Sequence, residues 1–375
     1  MTSKRTTAVQ HGLGDDPAFH AVTPPLYLTT TYNWPDFAEQ PPYDYGRGGN
    51  PTRDLLARAL SDLESGAGGV VTATGMAAID LITNLVGADD TIVAPHDCYG
   101  GTYRLLSSRA EQGRFNVRFV NQTDPDALKE AVEDAALVHI ETPSNPLMRL
   151  YDIAQICETA HAAGAKVVAD NTFLSPARQR PLELGADIVV HSTTKYLNGH
   201  SDVVGGAVVA KSSEDAETLA WWANNTGVTG APWDSYLTLR GLRTLFVRMD
   251  AAERNAQALV ALLESHSAVA EVHYPRGQLV EKQQSGPGAM LSFDLRGGRA
   301  AAKAVCEAVQ IFQFAESLGG VESLICHPAT MTHRGMVPEA RAVAGIGEGL
   351  LRISAGIEAT EDLVADMKQA LASID

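Results

Sequence analysis

The sequence predicts an α/β protein, with a large domain built on a mostly parallel sheet and a smaller α+β domain after it. Three observations lead to this prediction. Short β-branched runs alternate with amphipathic helical segments, which is typical of a parallel sheet covered by helices on both faces. Strand-like and helical segments also interleave in the last third of the chain. The length of 375 residues exceeds the usual size of one hydrophobic core.

The chain divides into three predicted segments. Residues 1–52 are rich in Pro, Thr, Tyr and Asn and have little hydrophobic periodicity, so we expect an arm that needs another surface to order it. Residues 53–245 form the predicted large domain, whose first helical pattern starts at about Thr52. Residues 246–375 form the predicted C-terminal α+β domain.

Six apolar runs are predicted as strands of the large domain: VVTA at 70, TIVAP at 91, VRFV at 117, ALVHIE at 136, KVVAD at 166 and DIVVHS at 187. The segments between them, such as GMAAIDLITNLVG, have helical periodicity, and Gly164 is a predicted C-cap. A long helical region after about residue 212 leads to the strand-like runs of the small domain, VAEVHYP, AMLSFDL and LLRISAG.

Charge and cysteine content exclude several classes of function. With 45 acidic and 29 basic residues, the net charge of -16 opposes binding to nucleic acid or anionic membranes, so small molecules are the expected partners. The four cysteines are far apart, which suggests neither a disulfide framework nor a metal site. Because no run has the length of a signal-peptide core or a membrane span, we expect a cytoplasmic protein.

Polar residues follow the predicted strands directly. Ligands of such sheets bind beyond the carboxyl ends of the strands, so one pocket is expected to gather these residues. They are Gly75, His96 to Gly101, Glu141 to Asn145, Asp170 to Thr172 and Ser192 to Lys195.

Each of these residues also has a structural explanation when it is taken alone. Gly75 can open a helix, Asp170 can cap one, and the hydroxyls of Ser192 and Thr194 can bond their own backbone. A lysine between apolar runs, such as Lys195, can be a paired structural charge.

Taken together, the same residues describe a cofactor site. The helix start at Gly75–Met76 offers backbone N–H groups to an anion, and Ser192 and Thr194 can donate to the same oxygens, as a phosphate site requires. Asp170 suits a protonated pyridine nitrogen, while a desolvated Lys195 suits an aldehyde. Phosphate, pyridinium and aldehyde together are the features of pyridoxal 5'-phosphate (PLP).

The chain resembles the Cys/Met metabolism family of PLP-dependent enzymes, which have the fold of aspartate aminotransferase (fold type I). Within the family it is most similar to the bacterial cystathionine γ-synthase branch. The likeness runs from about Thr7 to Leu371. It is carried by DYGRGGNPTRD, TGMAAI, APHDCYGGTYRL, ETPSNPL, VVADNTFLSP, HSTTKYLNGHSDVVGG, WWANNTGVTG, SYLTLRGLRTL and AESLGGVESLICHPATMTH.

The resemblance implies roles for residues at the cofactor. Lys195 matches the lysine that binds the aldehyde, Asp170 the partner of the pyridine nitrogen, and Tyr99 the tyrosine that stacks on the ring. The phosphate binders of the same subunit are matched by Gly75, Met76, Ser192 and Thr194. The pair that a neighbouring subunit contributes is matched by Tyr45 and Arg47. The resemblance therefore implies at least a dimer that shares its sites, and the family is typically tetrameric.

The resemblance also implies a substrate site and a reaction. Arg352 matches the arginine that holds the substrate α-carboxylate, and Asn145 and Ser317 line that site. The implied reaction is a γ-replacement that joins an O-acylhomoserine, expected to be O-succinyl-L-homoserine, to cysteine and gives cystathionine for methionine biosynthesis. Glu316 favours the γ-synthase or γ-lyase branch over β-lyases, and Gly101 stands where methionine γ-lyases usually carry a cysteine.

Other activities stay open. A cystathionine γ-lyase or an O-acylhomoserine sulfhydrylase has the same machinery, and an inactive binding or regulatory homologue is the alternative of another class.

Gly48 stands where a second arginine is expected, which leaves Arg104 as the candidate for binding a succinyl carboxylate. Gly46 replaces a common serine, and residues 275–283 form a shorter loop than is usual in the family.

Overall fold

The computed structural model describes residues 2–336 and 338–374. Within these residues, seven strands form one sheet: β1 (Gly68–Thr72), β2 (Thr91–Pro95), β3 (Asn116–Val120), β4 (Ala135–Glu141), β5 (Lys166–Asp170), β6 (Ile188–His191) and β7 (Gly206–Ala210). Their order is β1-β7-β6-β5-β4-β2-β3. Strand β7 pairs antiparallel with both of its neighbours, and the other pairs are parallel. The mostly parallel sheet of the prediction is confirmed.

Five strands of the described chain form a second sheet in the order β10-β11-β12-β9-β8. They are β8 (Val269–His273), β9 (Met290–Leu295), β10 (Gln313–Phe314), β11 (Leu324–Cys326) and β12 (Leu350–Ser354). The three strand-like runs of the C-terminal segment correspond to β8, β9 and β12. Strands β7, β10 and β11 were not predicted. Two of these have only two or three residues, too few to show a periodicity.

The helices surround both sheets. They are α1 (Lys4–Gln10), α2 (Pro51–Glu64), α3 (Gly75–Ile82), α4 (Gly100–Glu111), α5 (Pro125–Ala131), α6 (Ile153–Ala162), α7 (Ser175–Arg178), α8 (Ser213–Thr226), α9 (Pro232–Leu242), α10 (Leu245–Glu264), α11 (Gln278–Gln283), α12 (Gly298–Ala308), α13 (Pro338–Ala344) and α14 (Thr360–Leu371). In the described part of the chain, none of them has the length and apolar composition needed to cross a lipid bilayer.

Side chains of the large sheet alternate between two apolar cores. Val167 of β5 packs in the core formed with α2 and α6, whereas Val168 packs in the core formed with α3 and α8. This alternation follows from the period of two along a strand. Because both faces are covered, polar groups gather at the open carboxyl ends of the strands.

Helix α10 connects the two sheets. Its first turns, with Leu245 and Met249, pack in a core of the large sheet, and its later turns, with Leu259 and Leu263, pack in the core of the small sheet. The helix therefore belongs to both cores, and a division at residue 246 stays a prediction.

The N-terminal segment contains one regular element that was not predicted. Ser3 caps helix α1 by accepting a hydrogen bond from the Thr6 amide, and Ala8 is buried. The rest, up to the α2 cap at Asn50, is irregular apart from an isolated bridge between Thr31 and Tyr45.

Candidate active site

A cavity of about 670 Å³ opens at the carboxyl ends of the large sheet. Five of the lining segments, 74–79, 99–104, 141–145, 170–173 and 191–195, follow strands of the large sheet, as the sequence predicts for the carboxyl edge of a parallel sheet. The C-terminal region adds residues 316–318, 331–335 and 352. Twelve of the fourteen predicted site residues line it: Gly75, Met76, Tyr99, Arg104, Asn145, Asp170, Ser192, Thr194, Lys195, Glu316, Ser317 and Arg352. The other two, Tyr45 and Arg47, lie outside it.

The amine of Lys195 is held inside this cavity. Its Nζ donates a hydrogen bond of 2.6 Å to Ser317 Oγ. Burial, together with the positive charge of Arg352, lowers the pKa of Lys195 to about 8, against a smaller opposing effect of Glu316. A substantial fraction of the amine is therefore neutral near pH 8, as a nucleophile or a base requires.

Two carboxyl groups stand side by side at the ends of β4 and β5. Glu141 is the register partner of Asp170, whose Oδ1 accepts a hydrogen bond from the Thr172 amide at 2.9 Å. Burial and the nearby charge of Asp170 raise the pKa of Glu141. Glu141 Oε2 accepts a 2.7 Å bond from the backbone N–H of Tyr99, so this acid fixes the start of α4.

The start of α3 forms a cradle for an anion. Thr74 caps the helix by accepting a bond from the Ala77 amide, which leaves the N–H groups of Gly75 and Met76 without an intrahelical acceptor. A Cβ on Gly75 would lie 2.7 Å from Ser192 Cβ, so only glycine lets the serine hydroxyl approach the helix. These donors fit a phosphate group.

Thr194 contributes less directly than the sequence suggests. Its hydroxyl donates to the Gly205 carbonyl at 3.2 Å and accepts from the Gly205 amide at 3.0 Å. The side chain lines the cavity, but it must exchange one of these bonds before it can donate to a ligand.

Arg352 is oriented within the wall between the two sheets. It lies on β12 and is 2 % exposed. Its two terminal nitrogens donate to Asn145 Oδ1 at 2.8 Å and to the Ser317 carbonyl at 2.9 Å. The remaining N–H groups can bind a carboxylate in a fixed orientation. Ser317 has a φ of 92°, a conformation that side chains rarely adopt, so the fold holds it there under strain.

The ring of Tyr99 is 40 % exposed at the cavity, and Gly101 makes room for it. A Cβ on Gly101 would lie 2.4 Å from Tyr99 Cε1 and 2.8 Å from Met76 Sδ. A larger residue at position 101 would therefore displace the tyrosine ring.

The loop before α13 adds residues that sequence analysis missed. Thr332 and Arg334 line the cavity, and the Arg104 guanidinium lies against Gly335, where a Cβ would be 3.0 Å from Nη1. Among the described residues, neither arginine side chain has a hydrogen-bond or carboxylate partner. The signal was present in the sequence, since Arg334 directly follows the motif ATMTH.

Tyr45 and Arg47 are fixed, but away from their own cavity. Arg53 donates to the carbonyls of Gly46 and Arg47, and Arg47 Nε bonds Asn224 Oδ1 at 3.2 Å. The Arg47 guanidinium lies over the Tyr45 ring, 5.4 Å from its centre. Both side chains are exposed, so another molecule can reach them.

Comparisons with known proteins agree with this geometry. The model of the Cys/Met metabolism PLP-dependent enzyme family matches residues 5–372. The cystathionine γ-synthase of Escherichia coli K12 is 55% identical over 377 residues, covering 98% of this chain and 98% of that protein. The cystathionine γ-lyase of Bacillus subtilis 168 is 41% identical, covering 99% and 100%. The structure of a cystathionine γ-synthase from Xanthomonas oryzae pv. oryzae in complex with cystathionine superposes with a TM-score of 0.98 at 51% identity, covering 100% and 98%.

Proposed function

This chain belongs to the Cys/Met metabolism family of PLP-dependent enzymes, and we propose that its cavity joins an O-acylhomoserine to cysteine and so makes cystathionine. The observation that carries this proposal is the position of Lys195, whose amine shares one cavity with Asp170, the α3 cradle and Arg352. The higher identity to a cystathionine γ-synthase than to a γ-lyase favours replacement over elimination.

The residues of the cavity fit PLP. The α3 cradle and Ser192 would hold the phosphate, Asp170 would pair with the pyridine nitrogen, and Tyr99 would stack on the ring. PLP, when bound, supplies an aldehyde that links to the substrate amine and a conjugated ring that takes up electrons from the α-carbon. The acid of Asp170 keeps the ring nitrogen protonated and so favours this uptake.

Lys195 moves the protons of the reaction. As a neutral amine it would remove the proton from the α-carbon and give that proton up within the conjugated system. Neutral again, it would remove one from the β-carbon, after which the acyloxy group leaves from the γ-carbon with the bonding electrons. The cysteine thiolate then forms the new C–S bond at that γ-carbon, and the lysine returns both protons. Arg352 holds the α-carboxylate, with Asn145 orienting the guanidinium.

The activating group is proposed to be succinyl. Its free carboxylate needs a cation, and Arg104 and Arg334 offer two guanidinium groups that have no partner in the described chain. These two side chains are proposed to replace the second arginine that is expected at position 48, where this chain has a glycine. Glu316, on the same cavity, suits the amine of cysteine.

The active unit is proposed to be an oligomer, a tetramer built from dimers with shared sites. Tyr45 and Arg47 lie outside their own cavity, and the arm exposes large apolar side chains such as Phe19 and Phe37, 87% and 101% exposed. Contact with a second chain would bury these rings and place Arg47 at a neighbour's phosphate. The four free cysteines fit a reducing cytoplasm.

The function is tested by supplying cysteine with O-succinyl-, O-acetyl- or O-phospho-L-homoserine and measuring cystathionine by mass spectrometry. Cystathionine production that requires both Lys195 and cysteine supports the proposal. If cystathionine is instead cleaved with water to cysteine, 2-oxobutanoate and ammonia, the enzyme is a γ-lyase. If sulfide replaces cysteine with higher kcat/KM, it is a sulfhydrylase. A chain that converts none of these substrates is an inactive binding or regulatory homologue.

A further inference from the structure

A buried glutamate lies behind the cavity at the end of α2. Glu64 is 0% exposed, and a single oxygen, Oε1, accepts two hydrogen bonds. One comes from His191 Nε2 at 2.7 Å, and the other comes from Asn171 Nδ2 at 2.8 Å. The second oxygen of Glu64 and Nδ1 of His191 are buried without a partner in the described chain.

The two donors are chain neighbours of proposed cofactor-binding residues. Asn171 follows Asp170 at the end of β5, and His191 precedes Ser192 at the end of β6. Glu64 therefore joins the ends of two adjacent strands. Of the three residues of the bridge, His191 lines the cavity, whereas Glu64 and Asn171 do not. The parallel register of β5 and β6 also ties these ends, since it pairs Asp170 with Val190. Two further bonds follow it, from the Asn171 amide to the Val190 carbonyl at 3.1 Å and from the Ser192 amide to Thr172 Oγ1 at 2.9 Å.

Stability alone does not account for this arrangement. Neighbours of Glu64 and His191 along α2 and β6, such as Leu60, Leu63 and Val189, belong to one apolar core. Replacing a buried acid and its partner by apolar residues of similar volume is often neutral or stabilising, while each unpartnered buried polar atom is costly. Leucine at both positions would remove the two unpartnered polar atoms from an otherwise apolar surrounding, which points to a positioning role for the bridge.

We propose that Glu64 is a positioning residue, which sets the separation between the carboxylate of Asp170 and the hydroxyl of Ser192 through its bridge to Asn171 and His191. The fit of a ligand that carries both a pyridinium and a phosphate depends on this separation. The inference rests on the PLP site proposed above, and it adds that α2, which does not touch the cavity, controls the affinity for PLP.

The test is a double variant, Glu64→Leu with His191→Leu, prepared without cofactor and titrated with PLP. We expect the Kd for PLP to rise by about ten- to a hundredfold, the range that hydrogen-bond partners of metal ligands contribute to affinity. The Tm of the cofactor-free variant should equal or exceed that of the wild type, and the rise in Tm on adding PLP should shrink. A variant that binds PLP with wild-type Kd and shows the full rise in Tm overturns the proposal.

Two single variants change only residues that do not line the cavity, unlike His191. They separate positioning from a direct change of the cavity wall, and they keep the test decisive if the double variant does not fold. Asn171→Ala breaks one arm of the bridge, together with the two bonds between Asn171 and Gln179, and should also raise the Kd for PLP. Glu64→Gln keeps an oxygen that can accept both bonds, so it should bind PLP within about threefold of the wild type. If Glu64→Gln loses as much affinity as the leucine pair, the charge acts rather than the bridge, and the proposal fails.

A matched control separates positioning from loss of stability. Asp366 is buried in the small domain, where its carboxylate accepts backbone bonds from residues 310–312. Asp366→Asn should lower the Tm with and without PLP by the same amount and leave the Kd unchanged. If even the wild-type protein fails to bind PLP, the proposed function itself fails, which is a different outcome from variants that bind as the wild type does.

Discussion

The proposed cofactor residues come from two regions that differ in how the chain holds them. One is the floor of the cavity, defined here by Lys195, Asp170 and Arg352, and the other is the N-terminal arm, residues 1–52. On the floor, Lys195, Asp170 and Arg352 each have a hydrogen-bond partner within the chain, and all of them line the same cavity. In the arm, Tyr45 is 51% exposed and Arg47 lies outside the cavity. One chain therefore builds one side of the proposed site completely and presents the other side to a neighbour.

The physical reason lies in the two segments themselves. Strand ends of a covered parallel sheet are brought together by the fold, so residues distant in sequence meet with no outside help. The arm has few apolar residues that could form a core of its own, and several of them are exposed. The position of the arm on a neighbouring subunit therefore depends on assembly. Substitutions in the floor should act within one subunit, whereas substitutions in the arm should act on its neighbour.

The largest effect is expected on the floor, at Lys195. Lys195→Ala removes both the proposed attachment point and the proposed base, so cystathionine formation should fall by at least about 10⁴-fold. Lys211→Ala, which changes an exposed lysine after β7, should leave it unchanged. Borohydride reduction followed by peptide mass spectrometry should find the cofactor adduct on Lys195. An adduct on another lysine of an active enzyme would contradict the assignment.

The second largest effect is expected at Asp170, whose side chain lines the same cavity as Lys195. Asp170→Asn keeps the shape but loses the charge that favours a protonated pyridine nitrogen, so kcat should fall by at least about a hundredfold while the fold is retained. The measurements are steady-state kinetics and circular dichroism. Near-normal kcat in a folded variant would remove Asp170 from its proposed role.

The difference between the floor and the irregular segments also explains which parts of the site could be predicted from the sequence. The floor was accessible because strand ends can be read from apolar runs, and the runs before Asp170 and Ser192 were both recognised. Arg334 was missed because it lies in an irregular loop, and its approach to Arg104 depends on tertiary contact. Helix α1 was missed because it has only seven residues, with no acidic residue in its first turn and no basic residue in its last turn, and such a short helix gives a weak sequence signal. The bridge at Glu64 joins residues more than a hundred positions apart, which no local pattern encodes.

A third prediction tests the arm. Arg47→Ala should weaken PLP retention while each subunit stays folded, because the guanidinium is proposed to bind the phosphate of a neighbour. At a PLP concentration too low to load the Arg47→Ala homomer, mixing it with inactive Lys195→Ala should restore activity after subunit exchange. Random dimers should recover about a quarter of wild-type activity, since half of them are mixed and each has one sound site of two. No recovery in verified mixed oligomers would show that the arm does not act on a neighbour.

The rim of the cavity differs from both regions, since Arg104 and Arg334 belong to it but have no partner in the described chain. Arg334→Gln should lower kcat/KM for O-succinyl-L-homoserine by about tenfold, mainly through KM, and leave O-acetyl-L-homoserine nearly unchanged. Arg334→Lys should restore part of the loss. Equal losses with both substrates would mean that Arg334 supports the loop and not the succinyl carboxylate.

The smallest expected effect is a shift in the titration of Lys195 without cofactor. Burial and Arg352 lower its pKa to about 8, and Glu316 opposes them. Arg352→Gln should therefore raise this pKa, and Glu316→Gln should lower it, as amine labelling against pH followed by mass spectrometry can measure. An unfolded lysine titrates near 10.4, so between about pH 8 and 10.4 the unfolded chain binds more protons, and the unfolding free energy should rise with pH by up to about 3 kcal/mol relative to Lys195→Met. Two results would contradict this prediction: a shift of the labelling pKa in the same direction for both substitutions, or a wild-type labelling pKa near 10. Either would mean that the Lys195 amine is not buried between Arg352 and Glu316, and the contrast between the floor and the exposed arm would fail at this residue.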